Sequence, residues 1–176
     1  MQISDQFDLT RLLRRDVQPL VEILNDPVYA QMTSHIPYPY QTDDAQKWIA
    51  MHTQDHEDDP AQVWAIRDRH SQKISGVIGL HDYEVSKKQI EVGYWVARDL
   101  WGQGMATSTL SVLMAHIQST LSDKVNQVIA HTFLNNRASE RVLEKNNFRK
   151  QKTISNHIEK KGKVLKAHLW KKRLDV

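Results

Sequence analysis

The stretch Glu91-Val92-Gly93-Tyr94-Trp95-Val96-Ala97-Arg98-Asp99-Leu100-Trp101-Gly102-Gln103-Gly104-Met105-Ala106-Thr107 decides how this chain folds. Residues 89–96 read as a strand, and a helix starts at about Met105. In that helix Leu110, Leu113, Met114, Ile117 and Leu121 recur at the 3, 4, 7 and 11 spacing of one helical face. Between strand and helix stand Gly102 and Gly104. Without a Cβ, their backbone N–H groups can approach a ligand closely. The start of the helix adds unpaired donors and positive partial charge. Strand, Gly-x-Gly and helix therefore read as an anion cradle suited to phosphate, or simply as a tight connection. The segment by itself leaves both open. It is neither a dinucleotide fingerprint, since Thr107 stands where the third glycine belongs, nor a Walker loop, since no Gly-Lys-Ser/Thr follows.

Working outward, residues 62–67, 73–80 and 125–132 also have strand character, with a hairpin turn at Asp68-Arg69-His70-Ser71. Upstream, residues 8–14 form a first strand. Asp16 is expected to cap a helix carrying Val17, Leu20, Val21 and Leu24 on one face, with Pro19 tolerated in its first turn. Pro37-Tyr38-Pro39-Tyr40 must be extended or a loop, and Thr42-Asp43-Asp44 opens a second helix with acids at its positive end. Downstream, residues 136–145 form a short helix, and residues 147–153 and 164–172 supply the last strands. The order β-α-α-β-β-β-α-β-α-β-β predicts one mixed α/β layered structure, a single domain over residues 1–176.

Composition agrees. The 176 residues are 40% hydrophobic and 26% charged, with 24 Lys+Arg, 21 Asp+Glu and no cysteine. Such a chain buries one core. Lack of cysteine excludes disulfides, thiolate metal sites and a cysteine nucleophile. No secretory leader and no apolar run of membrane-spanning length is present, so a cytoplasmic protein is expected. The charge is uneven. Residues 1–60 hold 11 acids and 4 bases, net −7, and residues 61–176 hold 10 acids and 20 bases, net +10. This reads either as solvated lysines near the end or as a bipolar surface with one half for a polyanion and the other for a cationic partner.

A second informative stretch is Asn135-Asn136-Arg137-Ala138-Ser139-Glu140-Arg141-Val142-Leu143-Glu144-Lys145-Asn146-Asn147-Phe148. Asn136 can cap the helix and Ser139 falls in its first turn. Together with Trp101-Gly102-Gln103-Gly104-Met105-Ala106-Thr107 after Glu91-Val92-Gly93-Tyr94-Trp95, this combination resembles the GNAT acetyl-CoA-dependent N-acetyltransferases. Within them it is similar to the ribosomal-protein N-terminal acetyltransferase branch, the RimJ/RimL type. The resemblance covers nearly the whole chain and includes Pro37-Tyr38-Pro39-Tyr40 with Asp44-Ala45-Gln46-Lys47-Trp48-Ile49. Gln103 stands where a basic residue is common in the family. Asn147 stands where the family usually has glycine, and asparagine tolerates the left-handed conformation next best.

The resemblance implies an α/β (α+β) fold with a mixed, mostly antiparallel sheet of six or seven strands flanked by helices, the fourth and fifth splayed. It implies direct transfer of acetyl from acetyl-CoA to an amine, with no metal. Trp95, Val96 and Ala97 would pair with the pantetheine arm. Trp101, Gly102, Gln103, Gly104, Met105, Ala106 and Thr107 would hold the pyrophosphate, Asn136 would bond the cofactor arm, and Ser139 would lie near the sulfur. Glu91, sharing a strand face with Gly93 and Trp95 by two-residue alternation, is the candidate base, acting directly or through water, or else a structural carboxylate. Ser139 reads as a hydrogen-bond donor to the departing sulfur or as its proton source.

The expected acceptor is a primary amine, foremost the N-terminal α-amine of a basic protein, drawn by the acidic N-terminal part. A small amine such as a polyamine, amino acid or aminoglycoside is the alternative, and a non-catalytic basic ribosome- or RNA-associated module a third reading. No membrane and no direct nucleic-acid partner is expected, and both monomer and homodimer fit. The basic lysines at 160, 161, 163, 166, 171 and 172 read as outward-facing on a terminal hairpin. His52 and His56, i and i+4 on a helix, lack a further zinc ligand.

Overall fold

The computed structural model describes residues 1–53, 59–160 and 163–174. Seven strands form one sheet: β1 (Phe7–Thr10), β2 (Val63–Asp68), β3 (Ile74–Glu84), β4 (Gln89–Val96), β5 (Gln127–Phe133), β6 (Arg149–Lys160) and β7 (Lys163–Arg173). Five helices accompany them: α1 (Val17–Leu24), α2 (Pro27–Met32), α3 (Thr42–His52), α4 (Met105–Thr120) and α5 (Arg137–Lys145). The strand order is β1-β2-β3-β4-β5-β7-β6, antiparallel throughout except for the parallel pair β4–β5. This is the mixed sheet expected, with β7 inserted between β5 and β6.

Two apolar layers cover the sheet. On one face Ile90, Val92 and Val96 of β4 and Val128 and Ala130 of β5 pack with Leu110, Leu113, Met114 and Ile117 of α4. Their spacing is the helical period read from the sequence, and α4 begins at Met105 as expected. On the other face Leu20 and Leu24 of α1, Tyr29 of α2, and Ala45 and Ile49 of α3 pack against Ala65 and Val77, with Trp95 partly buried beside them. Alternation along β4 thus sends even-numbered residues toward α4 and Trp95 toward α1–α3.

Three local expectations are corrected. β1 stops at Thr10, short of residue 14. Helix α2 was not foreseen. Pro27 occupies its first turn, and Asp26 caps it by accepting from the Val28 N–H at 3.0 Å. Asp16 stands at the N-cap of α1, but its side chain accepts no hydrogen bond from that helix. Its carboxylate instead takes both terminal nitrogens of Arg67, at 2.9 and 2.7 Å, and the Leu13 N–H at 2.8 Å. Both side chains are 2% exposed. A buried guanidinium needs a bidentate acceptor more than a helix end needs a cap. Asn147 takes the left-handed conformation, φ 63°, that ends α5.

Candidate active site

The ladder between β4 and β5 has only three rungs, Gln89–Gln127, Ile90–Val128 and Glu91–Ile129. Past Glu91 the two strands part, leaving the second half of β4 without a partner on that side. This wedge is the splay that the family resemblance implies, and the chemistry-bearing residues collect around it.

At the wide end lies the Gly-x-Gly turn. Gly102 and Gly104 have φ of +75° and +81°, values that side chains rarely adopt. A Cβ on either would meet no protein atom within 4 Å, so both face open space. Among the described residues, no main-chain N–H of residues 102–107 makes a well-aligned hydrogen bond within the chain, although residues 101–104 form a turn. The first such bond of α4 runs from Ser108 to the Gly104 carbonyl, and no side chain caps the helix. A row of donors without well-aligned partners at the positive end of a 16-residue helix, with room above it, fits a diphosphate. The Gln103 amide turns back to the Asp99 carbonyl at 2.7 Å.

Along β4, the Val96 carbonyl already accepts from the Trp101 indole N–H at 2.7 Å and the Tyr29 hydroxyl at 3.2 Å. The Ala97 N–H donates to Ser75 at 2.8 Å. Tyr29 stacks edge-on against both Trp95 and Trp101, with ring centres 5.8 and 6.1 Å away. Burial pushes the Tyr29 hydroxyl up to about 12. Trp95, Val96, Ala97 and Trp101 therefore form one wall.

At the narrow end stands Glu91. Its Oε1 lies 2.8 Å from Nδ1 of His131, two residues beyond the last rung on β5. The side chains are 16% and 6% exposed. A carboxylate only accepts, so the hydrogen sits on Nδ1. On the other side His81 faces Glu91 in the β3–β4 register. A Cβ on Gly93 would come within 3.0 Å of the His81 ring, so the glycine makes room for that imidazole. His81 Nδ1 pairs with Asp82 at 2.9 Å, and ligand-type atoms of His81, Asp82 and Glu91 lie within 4.8 Å of one another.

Across the wedge, the Tyr94 and Ser139 hydroxyls are 2.9 Å apart. Burial raises the Tyr94 phenol well above its ordinary value, against a smaller opposing effect of the Ser139 hydrogen bond. The Asn136 side-chain oxygen accepts from the Ser139 N–H at 3.1 Å, fixing the first turn of α5 as a cap. Glu140, 3% exposed, anchors that turn to Lys150 at 2.8 Å and Arg137 at 2.7 Å. Burial raises its carboxyl, but the hydrogen bonds from Lys150 and Arg137 outweigh this and leave it below the ordinary value.

The fold thus gathers Glu91, Ser139, Asn136, residues 95–97 and the turn at residues 101–107 around one wedge. Sequence reasoning missed His131, His81 and the hydroxyl of Tyr94. Tyr94 lay inside the quoted motif. Nothing local pointed to His131, because only the β4–β5 register brings it to Glu91. Elsewhere, His52 Nδ1 lies 2.7 Å from the Trp48 carbonyl and its ring is 4.7 Å from the Trp48 ring, while His56 lies outside the described residues. Among the acids of the N-terminal part, Asp16 is committed to Arg67, Asp26 pairs with Arg98 at 2.7 Å, and Asp44 accepts from the Gln41 N–H at 2.9 Å.

A sheet wedge beside a phosphate-type turn and a carboxylate suits an acyl-CoA-using transferase, and comparison with known proteins assigns that class. The family described as acetyltransferase (GNAT) domain matches residues 7–149. An uncharacterized N-acetyltransferase, YoaA of Bacillus subtilis, is 27% identical over 99 residues, 56% of this chain and 55% of that protein, so the chain spans about half the length of that relative. The ribosomal-protein-serine acetyltransferase of Escherichia coli is 23% identical over 150 residues, 84% of this chain and 82% of that protein. The solved structure of RimL, a ribosomal L7/L12 α-N-protein acetyltransferase in complex with coenzyme A, superposes with a TM-score of 0.85 at 18% identity, covering 99% of this chain and 97% of that one. The chain belongs to the GNAT acetyltransferase family and is an acetyl-CoA-dependent acyltransferase. Among the described residues no helix is long and apolar enough to cross a membrane.

Proposed function

We propose that this acetyltransferase acts on the N-terminal α-amine of a protein, by direct attack in a ternary complex, with Glu91 as base and Ser139 serving the departing sulfur. The observation that carries the reading is the placement of one carboxylate, Glu91, and one hydroxyl pair, Tyr94 and Ser139, around the opening between β4 and β5.

Bound acetyl-CoA supplies the thioester whose carbonyl the amine attacks. Glu91 receives the proton that the attacking nitrogen must lose, directly or through one water. An α-amine with pKa of about 7.7–8.0 needs only roughly 1–1.4 kcal/mol to become neutral at pH 7, whereas a lysine at about 10.4 needs about 4.6 kcal/mol. A carboxylate suffices for the first far better than for the second. Ser139, its hydroxyl held by Tyr94, donates a hydrogen bond to the sulfur as charge builds there. Residues 102–107 hold the diphosphate with main-chain N–H groups, and the wall from Trp95 to Ala97 with Trp101 flanks the pantetheine arm. Asn136 serves this arrangement chiefly by fixing Ser139. The ribosomal-protein-serine acetyltransferase relative supports a protein acceptor, and the likeness to RimL, a ribosomal L7/L12 α-N-protein acetyltransferase, supports its α-amine.

The test is an acceptor screen by thiol release from acetyl-CoA. N-terminal peptides with a small first residue are expected to exceed polyamines and aminoglycosides in kcat/KM by at least about tenfold. Preference for a polyamine or aminoglycoside would overturn the choice of acceptor.

A further inference from the structure

We propose that His131 is the positioning residue of Glu91, holding its carboxylate at the apex of the wedge in the orientation that accepts the amine proton. This deepens the reading of Glu91 as base and rests on it.

The last backbone rung is Glu91–Ile129, and the next residue of β5 on the same face is His131. The 2.8 Å Glu91–His131 hydrogen bond is therefore the first connection between β4 and β5 made by side chains alone. It lies at the narrow end of the wedge, where the strands first part. A glutamate at such an apex has three rotatable side-chain bonds, and the pairing of its main chain to Ile129 and His81 does not by itself fix the carboxylate. His131 supplies what is missing. Its ring is nearly buried, 6% exposed, so it cannot swing with the carboxylate. Its Nδ1–H is aimed at Oε1. With Oε1 engaged, Oε2 is left as the acceptor for the incoming proton. On the other flank His81 stands opposite Glu91 in register and over Gly93, with its ligand-type nitrogen within 4.8 Å of the carboxylate. Fixing a base within hydrogen-bond reach of its proton is a direct contribution to rate, since small misplacements of a catalytic group are costly.

The test uses the full chain, acetyl-CoA and the best acceptor from the screen, with the variants Glu91→Gln, His131→Ala, His131→Asn and the double variant Glu91→Gln/His131→Ala. Asparagine presents an amide N–H near the position of Nδ1 and so keeps the hydrogen bond without the ring. His131→Ala is expected to lower kcat about tenfold or more with both KM values within about twofold, and His131→Asn to recover most of the loss. In the Glu91→Gln background His131→Ala is expected to cost nothing further, because His131 acts only through Glu91. Should the alanine variant lose its fold by circular dichroism, His131→Leu, which fills the volume without a donor, takes its place.

Two failures are distinguishable. Full activity in Glu91→Gln overturns the reading of Glu91 as base. Loss in Glu91→Gln with undiminished kcat in His131→Ala, equal loss in His131→Ala and His131→Asn, or further loss in the double variant, overturns the positioning role alone.

Discussion

The hydroxyl of Tyr94 on β4 sits 2.9 Å from the hydroxyl of Ser139 on α5, bridging the layer between the open strand and the helix that follows β5. Because burial makes the Tyr94 phenol harder to ionise, it keeps its hydrogen through the range in which the enzyme is assayed and can donate it to Ser139. Ser139 can then turn its own hydrogen elsewhere. Ser139→Ala is expected to lower kcat roughly 10- to 100-fold, at or below the range for removing one donor to a developing anion. Tyr94→Phe should lower it less, with the KM for acetyl-CoA within about twofold in both. Steady-state thiol release checks this, and unchanged turnover in Ser139→Ala would remove that residue from the mechanism.

Gly104 enters α4 at φ +81°, with open space where a Cβ would sit. Gly104→Ala is therefore strained by its backbone rather than by a clash, at about 1–2 kcal/mol. Gly104→Val adds bulk over the row of donors. The valine variant is expected to raise the KM for acetyl-CoA at least about tenfold and to leave kcat at saturation nearly unchanged. Calorimetric titration with coenzyme A should show the same loss.

Asp16 and Arg67, each 2% exposed, form an ion pair under α1, and Arg67 also donates to Thr10 and the Gln72 carbonyl. Removing one partner strands a buried charge, at about 3–5 kcal/mol. Asp16→Asn should lower Tm by roughly 10 °C, given about 2–4 °C per kcal/mol for a domain of this size. The double replacement Asp16→Leu/Arg67→Met is expected to be less damaging than either single change. Differential scanning calorimetry decides it.

Glu140 ties the turn that carries Ser139 to Lys150 and Arg137. Its folded pKa lies below the ordinary 4.5, so folding favours the ionised form. The resulting stabilisation is present in full above the unfolded value and is lost as pH falls through the folded one. The Tm difference between wild type and Glu140→Gln should accordingly be largest near neutrality and shrink below about pH 4. A constant difference down to pH 3 would contradict the assignment.

Much of this was legible in the sequence, for reasons that differ along the chain. The boundaries of α4 and β4 followed from strong periodicity and from the glycines between them. The pairing of β7 with β5 rather than in chain order had no local signal beyond the family resemblance. Asp16 has the residue type and position of a cap, yet the partner that claims it, Arg67, is 51 residues away. Helix α2 is six residues long, too short for a period to show. Glu91 and Ser139 were singled out through the family resemblance of the stretches that carry them, since a glutamate on a strand or a serine in a first helical turn has no chemistry of its own to announce. His131 was not, since a histidine in a strand says nothing until a register sets a carboxylate opposite it.

The three-rung ladder between β4 and β5 also divides the sheet into two half-sheets, β1 to β4 on one side and β5, β7 and β6 on the other. Main-chain bonding between the halves is slight, and α4 beneath them is what staples them together. Amide hydrogen exchange should therefore map a fast line down the later residues of β4 on the side facing β5, while the protected amides of each half remain slow. A thioester lying along that line would slow its exchange, so that occupancy can be followed on the polypeptide itself without any measurement of turnover.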